Sequence, residues 1–465
     1  MQPVLLIDLG STYTKVLAVD IAEPRILGTA SAHTTVATDV ALGIEKALSA
    51  LTSQTGPLTY TARFACSSAA GGLRMVAIGL APSLTEQAAR MACLGAGARV
   101  VRSFSYKLTE EDIAEIKSIA PDILLLAGGT DGGNEAVITH NAAMLATCET
   151  EFPILLAGNR NAAARCRELL SHRTVTTTEN VMPRLEQLNI GPVQKQVRTL
   201  FLKRIIHAKG LGPVAAQMDG PLILTPAAVR LATELLSTGT DDQPGLGELL
   251  AIDLGGATTD VYSMARGDPA GTDVIYKGLP EPFAKRTVEG DMGMRYSVQG
   301  IVEAVGVPWL SAHSALPSKQ VTELVTYLAQ RPDTLPNTPA LLALDQALAA
   351  AAVMTAVARH AGKLETVYTA QGPALVQTGK DLTAVNRLIV TGGAIVHSPK
   401  AKQIAESALF DPQIPHSLRP KSAELYMDSR YMLAAMGLLC QTHPHAALTL
   451  MKKELQHLWN CKTNA

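Results

Sequence analysis

Apolar positions fall into two rhythms along this chain. Residues 4–9 are apolar except for Asp8, the run breaks at Gly10-Ser11-Thr12, and residues 15–20 and 25–30 resume as further apolar stretches. Strand, glycine turn, strand predicts an antiparallel hairpin extended by a third strand. Val40, Ile44, Ala47, Leu48 and Leu51 follow a helical period, which predicts a helix over 39–51 capped by Asp39. Between about 58 and 180 the rhythm changes. Short apolar runs at 58–66, 99–104, 122–127, 153–157 and 174–178 alternate with helical stretches, the pattern of parallel strands joined by crossover helices. Helices are expected over 193–207 and 226–236, then a polar, glycine-rich connection over 237–247.

At Leu250 the opening pattern returns. Leu5-Leu-Ile-Asp8-Leu-Gly10-Ser-Thr12 is echoed by Leu250-Ala-Ile-Asp253-Leu-Gly255-Gly256-Ala-Thr258, 245 positions later. That spacing is far too long for a solenoid period. It predicts two similar α/β halves: 1–245, carrying an inserted α/β subdomain at about 58–180, and 246–465 with C-terminal helices. In the second half, helices are expected over 295–305, 319–329 and 341–360, and a strand over 387–390 leads into Gly392-Gly393. Helices over 399–409 and 429–440 and a short tail helix complete the chain.

Composition narrows the functional classes. A chain of 465 residues is too long for one core, and 47% apolar with 17% charged residues is ordinary for a folded protein. Forty Lys plus Arg against 41 Asp plus Glu give a net charge of -1, which supplies no large field for nucleic acid or anionic membranes. The six cysteines are scattered without a C-x-x-C pair, so reduced thiols are expected rather than a disulfide framework or zinc site. The N-terminal run meets Asp8 at once, unlike a signal peptide, and residues 347–358 fall short of a membrane span. A cytoplasmic protein is expected.

Two matched glycine turns suggest a grip on phosphate. Glycine lets backbone N–H groups approach phosphate oxygens without a Cβ in the way. Gly10, Ser11, Thr12 and Lys15 from the first turn, and Gly255, Gly256, Thr258 and Thr259 from the second, are the candidate phosphate ligands. A carboxylate beside phosphates is repelled unless a cation lies between them, so Asp8 and Asp253 imply Mg²⁺ held through water. Either can also orient a water for attack on the γ-phosphate, and Asp260 is a candidate to complete the metal's water shell.

The segments Asp8-Leu-Gly-Ser-Thr-Tyr-Thr-Lys15, Asp253-Leu-Gly-Gly-Ala-Thr-Thr-Asp260 and Val390-Thr-Gly-Gly-Ala394 resemble, in order, the two phosphate motifs and the adenosine motif of the actin, sugar kinase and heat-shock chaperone superfamily. The resemblance implies two ribonuclease H-like, actin-like domains around a nucleotide cleft, ATP as ligand, and Gly392 and Gly393 under the adenosine. A closer resemblance runs through residues 6–19, 34–39, 66–75, 125–134 and 289–297 to the methylaspartate (glutamate) mutase accessory protein family. It implies an ATP-dependent reactivating chaperone that acts on the subunits of an adenosylcobalamin-dependent mutase and releases damaged cofactor. A homodimer is left open.

Other segments carry two readings each. Ala127-Gly-Gly-Thr-Asp-Gly-Gly-Asn134 follows a strand and precedes a helix, so its amides could form an anion site. Otherwise it is a connection in which Asn134 caps the helix; it lacks the G-K-[ST] of a P-loop. The surrounding sheet could instead serve as a contact for the partner enzyme. Cys66-Ser67-Ser68 has no base at an informative spacing and reads as structure. Glu289-Gly-Asp291-Met-Gly-Met-Arg295 either lines the cleft with Arg295 near a phosphate or places acidic residues in a helix's first turn. A small-molecule kinase, a dehydratase-activating iron–sulfur ATPase and an actin-type filament share the same two-aspartate pattern and remain as alternatives.

Overall fold

The computed structural model describes residues 1–10, 13–34, 40–68, 73–208, 211–269, 271, 273–370 and 372–461, with the backbone alone at 40–41, 202–208 and 459–461. It divides into two compact units. One comprises Met1–Ala232, Gly278–Pro280 and Ala434–Leu450; the other comprises Thr233–Lys277, Glu281–Leu433 and Met451–Ala465.

Among the described residues the first unit contains ten strands: β1 (Pro3–Leu9), β2 (Tyr13–Asp20), β3 (Arg25–His33), β4 (Ala62–Ser67), β5 (Arg74–Gly79), β6 (Arg99–Ser105), β7 (Ile123–Leu126), β8 (Ile154–Leu156), β9 (Val175–Thr177) and β10 (Ile223–Leu224). Five form one sheet in the order β10-β4-β1-β2-β3. Within it β1, β2 and β3 run as an antiparallel meander, and β4 lies parallel to β1. Every residue of β1 is buried, so an almost unbroken apolar run is required there.

The other five strands form an inserted sheet, β6-β5-β7-β8-β9, parallel throughout. The apolar run expected at 58–66 therefore does not open this sheet. Its strand, β4, pairs with β1 in the first sheet. The inserted sheet begins with β5, whose apolar run, Met75-Val-Ala-Ile78, starts where the 66–75 segment ends and was not among the expected strands. Its own core gathers Val76, Ile78, Leu124, Leu126, Ile154 and Leu156 on one face of the strands.

In the second unit the strands are β11 (Leu249–Leu254), β12 (Thr259–Met264), β13 (Val274–Lys277), β14 (Ala284–Glu289), β15 (Lys363–Thr369), β16 (Gly372–Thr378), β17 (Arg387–Thr391), β18 (Ala423–Met427) and β19 (Gln456–Cys461). The main sheet has the order β14-β12-β11-β17-β18-β19. Stripped of β19, it repeats the first sheet strand for strand: an antiparallel meander of three, then two parallel strands. Two actin-type, ribonuclease H-like α/β sheets with an inserted parallel sheet are therefore present in one chain. A separate three-stranded sheet, β13-β16-β15, completes this unit.

Helix Pro339–His360 is capped by Thr338, whose side chain accepts the Leu341 amide. Its 22 residues exceed the run expected at 347–358 and are long and apolar enough to cross a membrane. Its apolar residues instead fill this unit's core, with Leu344, Leu348, Val353 and Val357 fully buried. The tail departs from expectation: after helix Pro444–Glu454 the chain forms β19, antiparallel to β18, rather than ending in a helix.

Candidate functional site

The first hairpin closes where the Gly10 amide donates to the Tyr13 carbonyl at 3.1 Å. A Cβ at Gly10 would lie 2.5 Å from that same carbonyl oxygen, so the turn itself excludes a side chain. Asp8 stands opposite Lys15 on β2 and opposite Cys66 on β4. It is 8% exposed, and its Oδ1 accepts from Thr225 Oγ1 at 2.7 Å and from Cys66 Sγ at 3.4 Å. Burial first, and then the charge of Asp8, push the Cys66 thiol far up, so it stays protonated and donates. Thr225 opens helix Thr225–Thr238 and carried no signal in the sequence. Ser11 and Thr12 lie outside the described residues.

The second hairpin repeats the geometry. Gly255 N–H donates to the Thr258 carbonyl at 2.9 Å, and Asp253 stands opposite Asp260 on β12 and Thr391 on β17. Asp8 and Asp253 thus occupy the same register position in matching sheets. What differs is the residue across the hairpin: Lys15 in the first, Asp260 in the second. Asp260 Oδ1 accepts from Arg286 Nε at 2.8 Å and pairs with its second guanidinium nitrogen at 2.6 Å. Thr258 Oγ1 donates to the other oxygen at 3.3 Å. Burial opposes the charge of Arg286, yet Asp260 and Tyr262 together outweigh it and the guanidinium is held above its ordinary pKa.

Segment 289–297 packs beneath this turn. The Met294 amide donates to the Gly255 carbonyl at 3.1 Å, and the Arg295 and Tyr296 amides both reach the Gly256 carbonyl, at 2.8 and 2.9 Å. Thr259 is fully buried and its hydroxyl donates to the Met292 carbonyl at 2.5 Å, so it braces the turn from below. A Cβ on Gly293 would stand 2.2 Å from the Ala257 carbonyl carbon. The reading of Glu289–Arg295 as acidic residues in a helix's first turn does not describe this arrangement. Arg295 is spent on Asp345 at 2.6 Å and on the Thr334 carbonyl, while Glu289 and Asp291 pair with Arg359. Helix Val298–Ser314 has no acidic residue in its first turn.

The two glycines after β17 have separate roles. Gly392 adopts φ 106°, and a Cβ there would sit 2.1 Å from the Leu254 carbonyl oxygen, so close packing on β11 requires glycine. A Cβ at Gly393 would meet only the Tyr431 hydroxyl, at 3.9 Å. Burial and then the charges of Asp253 and Asp428 push the Tyr431 phenol up to about 12.

A family model described as MutL protein matches residues 4–455. A relative named Protein MutL, from Clostridium tetanomorphum, is 44% identical over 459 residues, 98% of this chain and 99% of its own length. The chain belongs to the MutL protein family. Among solved structures it is similar to the activator of 2-hydroxyisocaproyl-CoA dehydratase from Clostridium difficile with bound ADPNP, at 10% identity and a TM-score of 0.35, covering 98% of this chain and 100% of that one. It is also similar to a ligand-bound xylulose kinase from Lactobacillus acidophilus, at 12% identity and a TM-score of 0.38, covering 100% of this chain and 94% of that one. Likeness at this level adds nothing to the strand orders described above.

In this MutL family member the second turn leaves room beside Gly256, where a Cβ would meet only the Tyr296 ring, at 3.9 Å. Among the described residues no three His, Cys, Asp or Glu side chains gather around one point. Three amides of the 127–134 loop are already engaged within the protein. The Asp131, Gly132 and Gly133 amides donate to the Pro183 carbonyl, Asn159 Oδ1 and the Thr130 carbonyl. Asn134 Oδ1 accepts the Val137 amide at 3.1 Å, as expected of a cap.

Proposed function

We propose that this protein is an ATP-hydrolysing, Mg²⁺-dependent reactivating chaperone for an adenosylcobalamin-dependent mutase of the glutamate mutase type. The observation that carries the nucleotide half is the pair of hairpins in matching register, each presenting one aspartate beside a glycine turn. In this reading Gly10, Ser11, Thr12, Lys15, Gly255, Gly256 and Thr258 hold the phosphates, and Gly392 and Gly393 underlie the adenosine. Thr259 acts indirectly, by bracing its turn. Asp8 and Asp253 hold the water shell of the cation; Asp260 joins that shell with its charge already shared with Arg286. Bound Mg²⁺ would supply charge neutralisation at the phosphoryl oxygens.

The side chains divide the work further. Two donors on Oδ1 fix the carboxylate of Asp8 and direct its second oxygen to accept from a water. Lys15, across the hairpin, offers a compact positive charge to a phosphate. The halves 1–245 and 246–465 close on ATP and reopen on hydrolysis, which changes the affinity for the mutase. The mutase itself enters through the motif resemblance together with membership of the MutL family. The iron–sulfur activator reading has less support, because Cys66, Cys93, Cys148 and Cys166 are buried and the half-buried Cys440 donates its thiol to the Gly437 carbonyl.

Calorimetry with ATP in magnesium buffer tests the nucleotide half, and lack of any affinity overturns it. Asp8→Ala and Asp253→Ala are each expected to lower phosphate release by more than ~10-fold. A pull-down of mutase subunits that depends on added ATP tests the partner; nucleotide binding and hydrolysis without such capture would confine the proposal to its ATPase half.

A further inference from the structure

The inserted sheet is independent of the two hairpins and has a feature they do not explain. Numbered within the insertion, its parallel strands run second, first, third, fourth, fifth, an open α/β order. Such sheets bind ligands in the crevice outside the carboxyl ends of their strands. A cavity of about 330 Å³ lies at that end of the sheet, beyond β7, β8 and β9 rather than at the reversal of strand order between β5 and β7, and its polar lining includes Asp131, Arg160, Thr177, Thr178, Glu179 and Asn180. Pockets for small molecules start at about this size.

The loops around this cavity are bolted together. Asn159, 1% exposed, accepts the Gly132 and Asn161 amides and donates to the Gly133 carbonyl. Asn180, 4% exposed, donates to the Gly129 carbonyl and to Asp131 Oδ1 at 2.9 Å, and accepts the Met182 amide. Asp131 Oδ1 also takes the Arg160 amide at 3.0 Å. Buried amides are costly unless every partner is supplied, and the sheet's own pairing does not need them. They hold three connecting loops in one geometry, as a preorganised site requires.

We propose that this cavity binds a small zwitterion of the α-amino-acid class. Its wall carries two carboxylates, Asp131 and Glu179, and one guanidinium, Arg160. A purely anionic ligand meets two like charges, and a simple cation meets the carboxylates but is repelled by Arg160. A molecule with one ammonium and one carboxylate satisfies both, and Thr177 and Thr178 add neutral hydrogen-bonding groups beside the strand end.

The test is calorimetry on the full chain with L-glutamine, L-leucine, L-arginine and L-glutamate as probes. At least one is expected to bind more tightly than ~1 mM. Its N-acetyl and carboxamide forms, which each remove one charge, are expected to bind at least ~10-fold more weakly, as are Arg160→Ala and Glu179→Gln. Both variants should keep wild-type affinity for Mg-ATP, which separates this site from the hairpins whether or not the ATPase reading stands. No heat with any of the four probes, or affinity unchanged by N-acetylation and amidation, overturns the proposal and leaves the loop network a purely structural tie.

Discussion

The hydroxyl of Thr225 donates to Oδ1 of Asp8 at 2.7 Å, although 217 residues separate the two in the chain. Helix Thr225–Thr238 therefore begins at the carboxylate of the first hairpin, and its first side chain sets how that carboxylate is turned. A hydrogen bond to a charged acceptor contributes about 1.5–3 kcal/mol. Thr225→Val should lower ATP turnover by roughly 10- to 100-fold with little change in ATP affinity, and Thr225→Ser should recover most of it. Phosphate-release kinetics beside calorimetry check this; wild-type turnover in Thr225→Val would make the bond a structural tie alone.

The ion pair of Arg286 and Asp260 leaves 3% and 14% of the two side chains exposed. Removing one partner of such a pair strands the other's charge, at a cost of about 3–5 kcal/mol. Arg286→Met is expected to lower the unfolding free energy by that amount, read as an earlier urea transition, and adding Asp260→Asn should restore a large part of it. A double-mutant cycle measures the coupling, and additive losses would show that the pair is not coupled.

Lys380 is 1% exposed and its ammonium donates to the Ala265 and Phe283 carbonyls at 2.6 and 2.8 Å. Burial lowers its pKa from 10.5 to about 7 in the folded chain. Between these two values the unfolded chain holds a proton that the folded chain has released, so stability rises with pH across that window. The contribution is about 1.4 kcal/mol per pH unit within it. Lys380→Met should lose this rise while also losing some stability at every pH. Urea titrations at pH 7, 8 and 9 compare the slopes, and equal slopes would show that the ammonium stays charged.

Much of the architecture was legible because the hairpins are local. Apolar strand, Asp, glycine turn and returning strand lie within about a dozen residues, so the copies around Asp8 and Asp253 announce themselves and their spacing implies two halves. β14 was not legible. Its sequence, Ala284-Lys-Arg-Thr-Val-Glu289, has no apolar alternation, and it forms a strand because β12 supplies the partner for Arg286. β4 was legible as a strand but not as a neighbour of β1, since pairing over more than fifty residues leaves no local mark.

By itself, the order of residues determined that the chain has two matching glycine-turn hairpins, which residues stand at their tips, and which stretches are apolar enough to be buried. Only the folded chain decided what those tips touch. It gave Asp8 to Thr225 and Cys66, gave Asp260 to Arg286, turned Thr259 inward, and spent Arg295 on Asp345. The physical reason is range. Hydrophobic period and turn chemistry act over a few residues and can be read from the chain, whereas a buried polar side chain must find its partner wherever packing places one.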